Sequence, residues 1–486
     1  MTMFRVFRAK PQRIFATVAF LALAFSFVIF NAFPGDSLMY HLPFAIRFWG
    51  LHAWPDFSGY FEGRYQGFPV LWRIVLLPSL ISREPRLMFI PNLLALGCLC
   101  WYSRRFLFIP WSISILAALC YPVVLFGFAS SMQDFFVGAT ALAGALALFA
   151  ASLKPNRDES GGSWLAGLLM LALCANVKYQ GLIASVVILA LSAFFSLNQH
   201  NLAQTISLRY FRHVLSAAKI KFCIGIILLS LIFAQPITNA YRFYNPLYPN
   251  SFAFFKGPEP TAVSRIPYIP KIPLIYNGLS FFSSALEIDP ILRSSRGFLF
   301  QRTVHMQNPP ESLRQTADPF GNRWIITGGS YGIMFAMILS AAVLTVIRNK
   351  KQKIKSVDSN YLSAMQSRLM ISFLVMIFLP QTLELRYYMY NLLVPAFVAV
   401  SSPWPDIRLI SKWLCALVLF LTMLSTVTLP FYFWTRTNTW MHSRVSWDLT
   451  VDFPSKQQCD KANATLSVNQ HPDIGIVKST VLCQFK

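Results

Sequence analysis

The feature that most constrains this chain is a succession of apolar runs, several close to twenty residues long, separated by short polar stretches. A helix rises about 1.5 Å per residue, so about twenty residues cross a hydrocarbon layer roughly 30 Å thick. Backbone donors and acceptors find no water inside lipid, so such runs must be helical. Candidate spans lie at about 14–33, 87–102, 106–128, 133–153, 163–177, 180–197, 219–237, 326–347, 367–383, 388–403 and 411–434. Eleven spans make the expected fold an all-α polytopic membrane protein. With 55% apolar and only 13% charged residues among 486, a soluble fold is excluded.

The first run follows Arg5, Arg8, Lys10 and Arg13, as a secretory signal does. It is too long for one and no small-residue cleavage site follows, so a retained first span is expected. The stretch 67–82 is short, holds Pro69 and Pro78, and carries Arg73 near its middle. A charge there costs about 2.5–3.5 kcal/mol on insertion scales, which predicts an interfacial helix rather than a crossing. Leaving it out of the count puts Arg104-Arg105 and the basic loops 198–221 and 348–368 on the side of the basic N-terminus, as the positive-inside rule requires.

The N-terminus is then cytoplasmic and the C-terminus outside. Residues 1–434 form the membrane domain, with long outer segments at 34–86 and 238–325 and an outer tail at 435–486. Most acidic residues fall outside, so function is expected on that face. Sorted by side in this way, the net charge of +23 calls for no nucleic-acid partner. Cys98, Cys100, Cys120, Cys174, Cys223 and Cys415 lie in or beside apolar runs and behave as small hydrophobes. Cys459 and Cys483 lie in the hydrophilic tail, where an oxidising compartment would let them pair.

Asp36 follows a helix-breaking Pro34-Gly35 at the end of the first run and precedes Tyr40, His41 and the amphipathic stretch Leu42 to Trp49. It suits either an N-cap for a surface helix or a carboxylate held at the membrane edge for chemistry. Glu62 and Arg64 sit in a Gly-flanked aromatic loop, where an exposed ion pair is the simplest account. Asp134 opens the fourth span, favoured there by the helix dipole and level with Asp36 on the outer face. Lys178, Arg242 and Arg386 stand at three separate outer helix ends. Three such cations point to a convergent phosphate site, against the plainer account of three snorkelling side chains. The chain has no Gly-rich phosphate loop, no Cys or His metal-ligand spacing, no Gly-x-Ser-x-Gly elbow and no acid deep within a span.

Taken together, Gly35-Asp36-Ser37-Leu38-Met39-Tyr40-His41-Leu42-Pro43, Asp134, Lys178-Tyr179-Gln180-Gly181, Asn245-Pro246-Leu247-Tyr248-Pro249 and Arg386-Tyr387 resemble the GT-C membrane glycosyltransferases. The likeness is to the type that includes protein O-mannosyltransferases and the lipid A aminoarabinose transferase. The resemblance implies Asp36 as catalytic base or acceptor-orienting carboxylate and Glu62 as a second acid. It implies Lys178, Arg242, Arg64 and Arg386 on the phosphate of a polyprenyl-phosphate sugar. Many relatives carry two acids at the first motif, where this chain has Asp36-Ser37.

Such chemistry needs a base within about 2.6–3.2 Å of the acceptor hydroxyl and cations on the departing phosphate. Asp36 and Asp134 suit the first need, and Lys178, Arg242 and Arg386 the second. Tyr40, His41 and Tyr248 are the candidate substrate contacts. No cofactor is expected; a divalent cation on Asp36, His41 or Asp134 is compatible with these ligands but not required. The expectation is an inverting glycosyltransferase of a bacterial-type inner membrane. It acts on the periplasmic face with a lipid-linked donor and a glycan, lipid or protein acceptor. The alternatives are a lipid-linked-sugar flippase and a non-catalytic assembly subunit.

Overall fold

A computed structural model describes residues 2–28, 41–50, 65–82, 85–153, 157–199, 219–248, 332–351, 357–378 and 389–428. The regular elements among these residues are helices. In chain order they are α1 (Thr2–Val28), α2 (Leu42–Phe48), α3 (Leu71–Val75), α4 (Leu77–Ser82), a 3-10 turn (Pro85–Phe89), α5 (Ile90–Leu107), α6 (Trp111–Leu119) and α7 (Pro122–Phe128). There follow α8 (Asp134–Leu153), α9 (Arg157–Ala175), α10 (Tyr179–Gln199), α11 (Lys219–Phe243), α12 (Gly332–Lys351), α13 (Val357–Ile377), α14 (Met389–Val400) and α15 (Pro405–Thr428). Among the described residues five segments are long and apolar enough to cross a membrane: Pro11–Val28, Arg86–Leu107, Asp134–Leu153, Tyr179–Leu197 and Ile220–Phe243. The architecture is that of a helical membrane protein.

Helix α8 is the axis of the bundle, with 83% of its apolar window buried, against 17% for α11. Its sequence explains the position. Gly138, Ala139, Ala141, Ala143, Gly144, Ala145 and Ala147 give it a narrow waist that neighbours approach closely. A Cβ on Gly138 would stand 2.5 Å from Met389 Cβ and 3.1 Å from its backbone carbon, so α14 lies directly against α8 there. On another face, Gly144 faces Leu171 of α9 and Gly167 of α9 faces Leu148. Every residue of α14 is buried.

Prolines move several boundaries away from the hydropathy reading. The expected span 106–128 is broken into α6 and α7 at Cys120-Tyr121, because Pro122 supplies no backbone donor and restricts the residue before it. Helix α5 runs on to Leu107 and ends in a left-handed Phe108 (φ 57°) two residues before Pro110. Arg104 and Arg105 therefore lie in its last turn, where the dipole favours cations, and not in a connecting loop. The stretch 67–82 forms only the short α3 and α4, together too short to cross.

Polar side chains gather at the two ends of α8. Asp134 stands at its first residue, while Phe149 O and Ser152 Oγ near its last turn accept from the buried Arg368 of α13. That second end also holds a chain of buried amides. Asn349 donates to Gln366 Oε1 at 2.7 Å, and Gln366 donates to Ser401 Oγ at 2.9 Å. From Asp134 to Phe149 the helix climbs about 22 Å along its axis.

Candidate functional site

The site is built on the N-terminus of α8. The loop before it is held by Asn92 of α5, a fully buried side chain whose amide nitrogen donates to the carbonyls of Gly127 and Phe128 at 3.2 Å and of Ser130 at 2.9 Å. Ser130 Oγ donates to Gly127 O and accepts from Met132 N, completing a tight turn. The next two residues, Gln133 and Asp134, then reach two different elements. Gln133 Nε2 lies 3.0 Å from His41 Nδ1, beside the start of α2. Asp134 Oδ1 accepts from Lys178 Nζ at 2.6 Å, with the carboxylate side chain only 3% exposed and the lysine 14%.

Lys178 is placed by the α9–α10 hairpin. Asn176 donates to Leu231 O of α11 at 2.8 Å, and its own carbonyl accepts from Leu71 N of α3 at 3.0 Å. Gly181 lets the hairpin close: a Cβ there would collide with the Cys174 carbonyl oxygen. The neighbouring Tyr179 hydroxyl meets Gly67 O at 2.5 Å and also the carbonyl of Tyr248. Asn239 of α11 donates to Gly67 O and Tyr248 O, both at 3.0 Å, and Gln235 one turn earlier also donates to Gly67 O. Three stretches far apart in sequence thereby share one buried junction beside Lys178.

Arg73, the charge that makes 67–82 a poor span, is buried and satisfied. Its guanidinium donates to Tyr65 O at 2.5 Å and Phe68 O at 3.3 Å, and lies 4.5 Å from the centre of the Tyr65 ring. Arg47 of α2 sits 4.3 Å from the same ring. Trp49 Nε1 donates to Arg73 O at 2.9 Å, fastening α2 to α3. Helix α2 begins at Leu42, and His41 before it already has helical dihedral angles.

The structure brings together Asp134 and Lys178, with His41 one residue away through Gln133. Tyr248 contributes its carbonyl to the Asn239 junction, while its ring stacks on Phe243 at 3.9 Å. Arg242 ends α11 exposed. Asp36, Tyr40, Glu62, Arg64, Arg386, Cys459 and Cys483 lie outside the described residues, as do the segment 249–331 and the tail from 429. Among the described residues no three His, Cys, Asp or Glu side chains form a group that could hold a metal ion.

Sequence reasoning does not single out Gln133, Asn92 or Asn239. The last does leave a signal: Gln235 and Asn239 are four apart near the end of an otherwise apolar helix, hence on one face. The arrangement offers an anionic and a cationic group in a water-poor setting, close enough to act on one substrate. No family model, curated protein or solved structure matches the chain.

Proposed function

We propose that this chain is a GT-C-type integral membrane glycosyltransferase with eleven spans. It transfers a sugar from a polyprenyl-phosphate donor to an acceptor on the outer face of a bacterial-type inner membrane. The observation that carries the reading is the 3.0 Å contact between His41 and Gln133. It sets His41, the last polar residue of the Asp36-Tyr40-His41 motif, against the residue next to Asp134; Asp36 lies five residues before His41 in the sequence.

In this reading the acceptor oxygen attacks the anomeric carbon as its proton passes to the Asp36 carboxylate. The bond from that carbon to the phosphate oxygen breaks, and the phosphate keeps the electron pair. Lys178 meets the charge that develops, with Arg242 in the last turn of α11 and Arg386, three residues before α14 in the sequence, as further cations. A single displacement inverts the anomeric centre. The eleven-span count rests on the apolar runs, and the periplasmic placing of the site on the basic loops that share the side of the N-terminus. A flippase would need ionisable groups along a path between the two ends of α8, a feature the described residues lack.

The test is transfer of radiolabelled sugar from a panel of polyprenyl-phosphate sugars by membranes holding the native protein or Asp36→Asn. Transfer by the native protein alone supports the reading and identifies the sugar. Equal transfer by both removes Asp36 from the chemistry. Absence of transfer from every donor, with folded protein and a varied acceptor extract, overturns the enzyme reading.

A further inference from the structure

At 2.6 Å from Asp134, Lys178, the cation expected to meet a phosphate, already holds an anion of the chain's own. We infer that this pair is an exchange device, in which the phosphate of an incoming lipid-linked donor takes Lys178 away from Asp134 and so releases the Asp134 carboxylate toward the acceptor. The inference rests on the glycosyltransferase reading for the identity of the donor.

Four features support the exchange. The pair is not what holds its two ends in place. Asp134 is fixed by the Asn92-bound turn, and Lys178 by Asn176 and the close Gly181–Cys174 approach. Nor is the released carboxylate stranded, because it sits at the first residue of a 20-residue helix whose leading amide groups favour an anion. A phosphate brings more acceptor oxygens and at least as much charge as a carboxylate, so it is the stronger partner for an ammonium in a water-poor site. The 14% exposure of the lysine side chain, against 3% for the aspartate, leaves the cation as the approachable member.

Exchange imposes an order. Before the donor arrives, Asp134 is neutralised and has little to offer an acceptor hydroxyl. Afterwards the site presents a carboxylate, a phosphate-bound Lys178 and the donor's anomeric carbon together. Acceptor binding is thereby made to follow donor binding. Asp134 need not itself accept the proton. Through hydrogen bonding it would orient the hydroxyl, with Asp36 as the base under the glycosyltransferase reading.

The test uses the native protein in detergent and a hydrophobic carbodiimide, which modifies a carboxyl that has lost its ionic partner in apolar surroundings. Labelling at residue 134 is read by mass spectrometry with no addition, with polyprenyl phosphate, with the uncharged polyprenol and with inorganic phosphate. A several-fold rise with polyprenyl phosphate and none with polyprenol is expected. A rise with inorganic phosphate as well would support exchange and locate recognition in the headgroup alone. Unchanged or reduced labelling with polyprenyl phosphate overturns the inference. A second measurement is the affinity of Asp134→Asn for polyprenyl phosphate. Loss of the competing anion should tighten it several-fold, whereas weaker binding by this variant overturns exchange. If labelling rises but no donor supports transfer, exchange stands and the glycosyltransferase reading fails. Transfer without a rise in labelling leaves the glycosyltransferase reading standing and overturns exchange.

Discussion

Lys178 and Asp134 are 44 residues apart in the chain, and their side chains meet at 2.6 Å between the α9–α10 hairpin and the first residue of α8. Taking two charges out of water costs several kcal/mol per ion, and only a close partner offsets it. Removing one member is therefore worse than removing both. Lys178→Met is expected to lose stability, by less than the about 3–5 kcal/mol of a wholly uncompensated buried charge because the leading amides of α8 still favour the Asp134 carboxylate, while the double variant Lys178→Met/Asp134→Leu recovers most of that loss. Unfolding in a common detergent would measure both, and a double variant no more stable than the single one would show that the pair was never desolvated.

The loop that delivers Asp134 depends on Asn92. Its amide nitrogen donates to carbonyls at both ends of the turn 127–130, and those carbonyls are buried. Asn92→Ala should cost about 1–3 kcal/mol, because the buried Phe128 and Ser130 carbonyls lose the donor that Asn92 supplies, while Gly127 O keeps Ser130 Oγ. Asn92→Asp should do at least as much harm, since a carboxylate offers no hydrogen to a carbonyl. Thermal midpoints of the two variants check this. An aspartate variant as stable as the native protein would show that the turn holds by itself.

Small residues let α8 serve as the axis, and two glycines separate packing from propensity. At Gly138 an added methyl would overlap Met389, including its backbone, so Gly138→Ala should cost about 1–3 kcal/mol by forcing α8 and α14 apart. At Gly97, within α5, a methyl would meet nothing within 4 Å. Gly97→Ala should therefore stabilise, by up to about 1 kcal/mol, through helix propensity alone. Opposite signs in one unfolding assay are the expected outcome, and equal effects would contradict this packing.

How far the sequence reveals this arrangement differs from residue to residue. Helix α8 and its acid at the first position are readable, because a hydrophobic run with an aspartate at its start obeys local rules. The partner of that acid is not, since periodicity says which face of a helix is apolar but not which other helix lies against it. Lys178 is recognisable as a cation in a tight hairpin, yet a phosphate ligand and a carboxylate ligand leave the same trace in sequence. Arg73 shows a different limit. Its charge is satisfied by the carbonyls of Tyr65 and Phe68, acceptors that every residue carries and no side-chain pattern reveals. The broken span at Cys120-Tyr121 is signalled by Pro122, a residue whose effect on backbone geometry outweighs the apolar run around it.

At the opposite end of α8 lies an ion pair with a defined pH signature. Arg348 Nη1 and Asp406 Oδ2 are 2.8 Å apart, both side chains are exposed, and the Arg348 guanidinium lies 4.2 Å from the centre of the Trp404 ring. The hydrogen bond from Arg348 holds the Asp406 carboxyl below its ordinary range. A carboxyl depressed in the folded state contributes stability above its unfolded value, near 3.9, and loses that contribution as the pH falls through the folded value. Stability of the native protein relative to Asp406→Asn should therefore be constant above about pH 5 and shrink below about pH 4. Because the pair is exposed, the difference should be small, and about 1 M salt, with a screening length near 3 Å, should reduce it further. Melting both proteins across this range, with and without salt, provides the check. A gap that is independent of pH would mean that the charge of Asp406 contributes nothing to stability, whether through Arg348 or through the leading amides of α15. A gap that vanishes in acid but resists salt would point to the stacking of Arg348 on Trp404 as the element that holds its guanidinium in place.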